Sequence, residues 1–311
     1  MKDFIMDWPN LIKTASARVT PYIRQTPVVT FETRTVTQPV TLKLEQLQHA
    51  GSFKTRGAFN TLLGTEPPAA GLVAASGGNH GAAVAYAAQR LGFPARVYVP
   101  EIAGPAKISL IRACGADLQV VPGAYSNALE QAKAWEEKTG AMQIHAYDAE
   151  ATVAGQGSCF VEWEQQGLNA DTVLIAVGGG GLIAGALGWF QGRCKIVAVE
   201  PERCATLHAA LSASAPVNVE VSGVAANALG AQKIGTICFD LAQSTGIESV
   251  LVSDAAITQA QRRLWQDLKQ VVEPAGAAAL AAVLSGAYTP EPDERLAVLV
   301  CGGNIASDPL A

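Results

Sequence analysis

The 311-residue chain is 49% hydrophobic and 16% charged and carries a formal net charge of -5. Such a composition builds a large buried core and offers no basic stripe for neutralising phosphates, which excludes nucleic acid as the main partner. No run of about 20 apolar residues is present, so no segment reads as a membrane span.

The stretch MKDFIMDWPNLIKTASARV at the start scatters charges where a secretory signal would be continuously apolar, and no lipidation motif accompanies it. A soluble, cytoplasmic protein is expected. The first strand pattern is VTLKLEQL (40–47), which leads through GSFKTRGAFN (51–60) into the helix-compatible AFNTLL. Lys54 stands at the mouth of that helix, where the macrodipole disfavours a cation. Taken alone, it reads as a solvated surface lysine beside a basic neighbour.

Next come the strand GLVAAS (71–76), the turn SGGNHGAA (76–83) and the helical GAAVAYAAQRLG. Strands ARVYVP (95–100) and DLQVVP (117–122) follow, separated by AKISLIRACG and trailed by SNALEQAKAWEEKTG. After the helical ATVAGQGSCFVEWEQQG, the strand TVLIAVG (172–178) runs straight into VGGGGLIAG (177–185). The strands KIVAVEP (195–201) and SVLVSD (249–254), the helix DAAITQAQRRLWQDLKQ and the strand LAVLVCGG (296–303) complete the pattern. In the helical segments apolar residues recur at spacings of three and four, and several end in Gly. Strands that are apolar throughout and alternate with helices imply an α/β fold of two doubly wound, mostly parallel sheets.

The length suggests about two domains of ~100–200 residues. Residues 71–147 hold three strand–helix alternations and are expected to form a small mobile domain. It would be inserted in a larger one made from 1–70 and 148–311. A chain that crosses twice between units leaves a cleft at strand C-termini, where ligands sit in such sheets. The cysteines (114, 159, 194, 204, 238 and 301) are spread singly, which fits neither a disulfide framework nor a zinc site.

Four stretches carry the chemistry. The run Gly178, Gly179, Gly180 and Gly181 at a strand-to-helix junction offers free N–H groups and close backbone approach, the makings of a phosphate site. P-loop and dinucleotide spacings do not fit, so the phosphate belongs to something smaller than a nucleotide. SGGNHG is a second such turn, with Ser76, Asn79 and His80 beside glycines, although Ser or Asn there is also an ordinary helix cap. The third stretch surrounds Lys54, and the fourth is CGGN (301–304). An amine, a phosphate cradle and no metal cluster suggest pyridoxal 5'-phosphate, which needs a Schiff-base lysine and partners for its ring oxygen and ring nitrogen.

These motifs, with VAGQGS (153–158), AVEPE (198–202) and VEPAGA (272–277), resemble the serine/threonine dehydratase (threonine ammonia-lyase) family of fold type II pyridoxal-phosphate enzymes, related to serine racemase. The resemblance spans nearly the whole chain and implies a tryptophan synthase beta-like fold with the cofactor in the cleft. It implies that Lys54 carries the cofactor and acts as the catalytic base, with Phe53 against the ring. Gly178, Gly179, Gly180, Gly181 and Leu182 would hold the phosphate, Asn79 the ring hydroxyl, and Cys301 would face the ring nitrogen. Ser76, Gly77, Gly78, Asn79 and His80 would bind the substrate carboxylate. The implied reaction removes water from L-threonine, L-serine or a related 3-hydroxy amino acid, giving a 2-oxo acid and ammonia. A dehydratase for an unusual 3-hydroxy amino acid and an amino-acid racemase are the alternatives.

Departures from the family pattern refine this. Racemases of the group carry a serine where this chain has Gly77. Metal-binding relatives place an Asp six residues after the Glu of AVEP, where this chain has Thr206 after Glu200; no tight metal site is expected. Ser222 replaces a frequent Asp in a segment that lies near the cleft in relatives, which puts the usual substrate preference in question. The chain ends soon after its last core strand, so no regulatory domain and a degradative or specialised role are expected. A homodimer or homotetramer would follow from the resemblance.

Overall fold

The computed structural model describes residues 6–123 and 125–305; the outermost residues of the expected larger unit, 1–5 and 306–311, lie outside them. In chain order the elements are α1 (Trp8–Val19), β1 (Val28–Phe31), β2 (Val40–Leu44), α2 (Lys54–Leu63), β3 (Leu72–Ala75) and α3 (Asn79–Leu91). Then come β4 (Ala95–Pro100), α4 (Pro105–Ala113), β5 (Asp117–Val121), α5 (Tyr125–Thr139), β6 (Met142–Gln143) and α6 (Glu150–Gln165). The rest are β7 (Thr172–Ala176), α7 (Gly181–Phe190), β8 (Lys195–Pro201), α8 (Thr206–Ala213), α9 (Ala226–Leu229) and α10 (Thr236–Thr245). The last elements are β9 (Glu248–Val252), α11 (Asp254–Leu268), α12 (Pro274–Ser285) and β10 (Leu296–Val300).

The strands form a six-stranded sheet, β1-β2-β10-β7-β8-β9, and a four-stranded sheet, β5-β4-β3-β6. Every pairing is parallel except that of the edge strand β1 with β2. The four-stranded sheet uses β3 to β6 alone, so the chain leaves the larger sheet after β2 and returns to it at β7. β7 and β10 are buried at every position, as central parallel strands covered by helices must be. Each fully buried Val, Leu or Ile there contributes about 1.5–3 kcal/mol of transfer free energy.

Helix α1 shows how local chemistry sets an element. Asp7 caps it by accepting the Asn10 N–H at 3.2 Å, and Pro9 sits in the first turn, where its missing N–H costs nothing. Its buried residues Trp8, Ile12, Ala15 and Val19 recur every three or four positions and face α6 and α7. The motif VAGQGS lies inside α6 and is explained by packing. A Cβ at Gly155 would come within 2.6 Å of Gly57 Cα, so α2 and α6 touch backbone to backbone only because both positions are glycine. Among the described residues no helix is long and apolar enough to cross a membrane.

Candidate active site

Register explains why distant residues meet. β10 pairs with β2 on one side and β7 on the other, with Val300 opposite Leu44 and Val298 opposite Leu174. Three adjacent parallel strands therefore end level, and the segments after them converge: Lys54 beyond β2, Cys301 beyond β10, the glycine run beyond β7. A cleft at this edge is lined by Phe53, Lys54, Asn79, Gly178 to Gly181, Leu182 and Cys301, together with Ala176, Ala228, Leu229 and Ala275. All the residues expected to contact the cofactor are in that lining.

Lys54 is the first residue of α2, and its Nζ donates to the Ala146 carbonyl at 2.7 Å and lies 5.3 Å from the Phe53 ring centroid. Burial brings its pKa down to about 8, opposed by the nearby Cys301 sulfur. A substantial fraction of the amine is thus neutral and nucleophilic near physiological pH. The bland reading of the segment fails at its neighbour as well, because Arg56 is fully buried.

The glycine run turns into α7 through Gly180, whose φ is +93°, a region that suits glycine. The first N–H groups of α7 have no intrahelical partner and stand at the positive end of the helix dipole, an arrangement suited to an anion. The loop is tied from behind by the Thr206 hydroxyl, which donates to the Gly178 carbonyl at 2.7 Å, and by the Gly235 N–H on Gly179 O at 3.1 Å. A Cβ on Gly179 would run into the Tyr147 ring, and one on Gly180 would lie 2.5 Å from Cys238 Sγ. The cradle therefore accepts a group approaching the bare backbone and excludes side chains. Gly179→Ala is expected to weaken pyridoxal phosphate binding at least about tenfold, the scale of one overpacked methyl, read by absorbance titration of the cofactor-free protein.

Cys301 is buried, and its Sγ–H donates to the Ala275 carbonyl at 3.4 Å. Burial, then the nearby Glu273 carboxylate, push its pKa far up, so the thiol is neutral. A neutral thiol, an amine and a bare-backbone glycine run in one cleft fit the charge and the hydrogen-bonding needs of pyridoxal phosphate.

The turn before Asn79 is arranged less simply. The Gly78 N–H donates to Ser76 Oγ at 3.2 Å, and Ser76, Gly77, Gly78 and His80 stand outside the lining of the cleft. His80 Nε2–H donates to the Ile144 carbonyl at 2.9 Å, and burial, then the Lys54 charge, bring its pKa down to about 3, so it is neutral. A Cβ on Gly78 would lie 3.3 Å from the Asn227 carbonyl, which places this turn opposite the segment carrying Ala228 and Leu229. Ser222 belongs to that segment but is exposed, its carbonyl accepting from Cys204 Sγ, and it does not reach the cleft.

Glu200 has structural work of its own. Its carboxylate accepts the N–H groups of Leu207 and His208, each at 2.8 Å, and the Thr206 hydroxyl at 3.3 Å, capping α8. Burial pushes its pKa up to about 7 in spite of those donors. Thr206 thus links Glu200 to the glycine loop. Among the described residues no three His, Cys, Asp or Glu side chains gather as a metal site.

Sequence reasoning passed over Ala176 and Ala275 in the lining and Tyr147 behind the glycines, and it named the segment of Ala228 and Leu229 only through Ser222. Ala275 lies in the VEPAGA motif, the signal that could have pointed to it.

Comparison with known proteins agrees with this geometry. The family model described as pyridoxal-phosphate dependent enzyme matches residues 19–302. The phenylserine dehydratase of Ralstonia pickettii is 35% identical over 298 residues, covering 93% of this chain and 90% of that protein. The solved threonine deaminase of T.th. superposes with a TM-score of 0.87 at 36% identity, covering 96% of this chain and 99% of that one. Maize serine racemase does so with a TM-score of 0.90 at 29% identity, covering 96% and 93%. With its cleft built around a half-buried lysine, a glycine run and a neutral thiol, the chain belongs to the family of pyridoxal-phosphate dependent enzymes.

Proposed function

We propose that the protein removes water from a 3-hydroxy amino acid, L-threonine, L-serine or a relative of them, the resulting imine then taking up water to give a 2-oxo acid and ammonia. The observation that supports this most directly is the convergence of Lys54, the glycine run and Cys301 at the ends of three adjacent strands. When bound, the cofactor supplies an electron sink for the pair released at the substrate Cα. Gly178 to Gly181 and Leu182 would hold its phosphate through backbone N–H groups, and Phe53 would bound the ring. Lys54 would hold the cofactor through its amine, and that amine, when free, would take the substrate Cα proton. Cys301, kept neutral by burial, offers no counter-charge to a protonated ring nitrogen. Without such a counter-charge the sink would be weaker than one paired with a carboxylate, which would favour loss of the β-hydroxyl over transamination and racemisation. The Ser76–His80 turn receives the substrate carboxylate, and residues 71–147 act as a small domain over a larger one, in a homodimer or homotetramer.

Racemisation is disfavoured by a further contact. A Cβ at Gly77 would run into Ala103 Cβ and lie 3.1 Å from Val99 Cγ1. The position that carries a serine in racemases of the group has no room for one here. A bulkier 3-hydroxy amino acid is the second reading, supported by three alanines in the cleft wall and by the likeness to a phenylserine dehydratase.

The test is 2-oxo acid and ammonia release by the holoenzyme from L-threonine, L-serine and L-phenylserine, with chiral analysis of the remaining substrate. Equimolar oxo acid and ammonia from at least one of them is the expected result. A D-enantiomer accumulating without ammonia would overturn it.

A further inference from the structure

Glu273 of VEPAGA and Asn304 of CGGN stand outside the lining of the cleft, and they meet at Asn79. Asn79 Nδ2 donates to Glu273 Oε1, and Asn304 Nδ2 donates to Asn79 Oδ1 at 2.7 Å and to Ala50 O at 2.8 Å. Glu273 is only 2% exposed and stands at the N-cap of α12, its own N–H donating to the Gly302 carbonyl at 3.3 Å. A side chain at Gly302 would collide with the Glu273 carboxylate, which accounts for that glycine. Lys107 of α4 is 4% exposed, and its positive charge faces Glu273.

The two ends of an amide play opposite hydrogen-bonding roles. An ionised carboxylate only accepts, and the Asn304 Nδ2 only donates. Flipping the Asn79 amide would set its oxygen against the Glu273 carboxylate and its nitrogen against the Asn304 nitrogen, two repulsive contacts in a buried place. The observed orientation engages Oδ1 and one N–H of Nδ2, and leaves the second N–H for the cleft that Asn79 lines.

We propose that Glu273, with Asn304 opposite it, is a positioning residue that locks the Asn79 amide so that the cleft meets an N–H donor rather than a carbonyl. The inference rests on the reading that Asn79 donates to the cofactor ring oxygen. Glu273 acts through Asn79 and touches neither cofactor nor substrate. Burial pushes the Glu273 pKa up to about 7, while the Asn79 N–H and then the Lys107 charge favour the ionised form. The lock is therefore set as pH rises through about 7, and the titrations are run at pH 8.

Absorbance titration of the cofactor-free protein with pyridoxal phosphate tests this through the dissociation constant and the position of the visible band. Four proteins are compared: native, Asn79→Ala, Glu273→Gln and the double variant. Glu273→Gln lets the amide flip, and is expected to weaken binding about tenfold, the scale of one charge-assisted hydrogen bond, and to move the band. In the Asn79→Ala background the same substitution is expected to add nothing, the signature of two residues acting as one. Losses that multiply in the double variant would overturn the proposal. So would a Glu273→Gln protein with native affinity and band beside an impaired Asn79→Ala. If Asn79→Ala itself changes neither quantity, the reading of Asn79 fails, and the inference with it. Should Glu273→Gln not fold, Asn304→Asp supplies the same comparison, because it replaces the donor facing Asn79 Oδ1 by an acceptor.

Discussion

Lys54→Ala is expected to yield a folded protein whose turnover of any 3-hydroxy amino acid falls by at least about 10^4-fold, since one side chain supplies both the covalent hold and the proton transfer. Its cleft lies at the ends of β2, β10 and β7, and none of those strands depends on the Lys54 side chain. The variant should therefore keep its secondary structure by circular dichroism while losing the visible band of the lysine-bound cofactor. Retained turnover in Lys54→Ala would remove the mechanism altogether. The native protein adds a pH test whose sign is fixed by the shifted amine. Only neutral amine attacks the cofactor carbonyl, and burial places the titration of Lys54 near 8 instead of its usual 10.5. Reconstitution of the cofactor-free protein should accelerate as pH rises through about 8 and then level off. A rate still climbing steeply toward pH 10 would show an amine that the fold does not perturb.

Cys301 and the glycine run were legible in the sequence because each directly follows an apolar strand, and Lys54 because it opens a helix in a run of small and turn-forming residues; local pattern is what a sequence displays. The stretches ARVYVP and KIVAVEP coincide with β4 and β8 to the residue, since both are apolar runs in parallel sheets. The run VTLKLEQL was read too long: β2 stops at Leu44, where Glu45 turns inward to meet Arg56. β1 and β6 gave little to read, one being a four-residue edge strand and the other two residues long. Around Asn79 legibility ran out for a different reason. Its partners Glu273 and Asn304 lie 194 and 225 positions away, so their role exists only once both sheets are in place. Ser222 shows the converse limit, for a segment can border the cleft while the residue singled out within it faces solvent.

Arg56 was the least legible residue, a neighbour of Lys54 with every appearance of a surface cation, and Arg56→Leu is expected to destabilise the fold by about 3–5 kcal/mol. Its guanidinium grips Glu45 with two hydrogen bonds of 2.7 Å and reaches Glu162 at 2.9 Å, while Lys43 holds the other Glu162 oxygen at 2.5 Å. Two cations and two carboxylates thus balance in a setting where Lys43, Glu45 and Arg56 are fully buried. Removing one cation leaves both carboxylates to Lys43 alone, and a buried charge without its partner costs far more than the pair contributed. Burial by itself raises the Glu45 pKa; the Arg56 charge and hydrogen bonds more than offset it and hold the carboxyl below its ordinary value of 4.5. With Arg56 gone, only the Lys43 charge and the Thr26 hydroxyl oppose burial, and Glu45 titrates upward. The deficit of the variant should then shrink as pH falls and Glu45 takes up a proton. Urea unfolding of native and variant holoenzyme across that range measures both effects. The double variant Arg56→Leu/Glu45→Leu should be less destabilised than Arg56→Leu alone, because the stranded carboxylate is removed with its partner. A single-variant loss below about 1 kcal/mol, the scale of an exposed ion pair, would mean that water reaches this network and that the base of the Lys54 helix rests on something else.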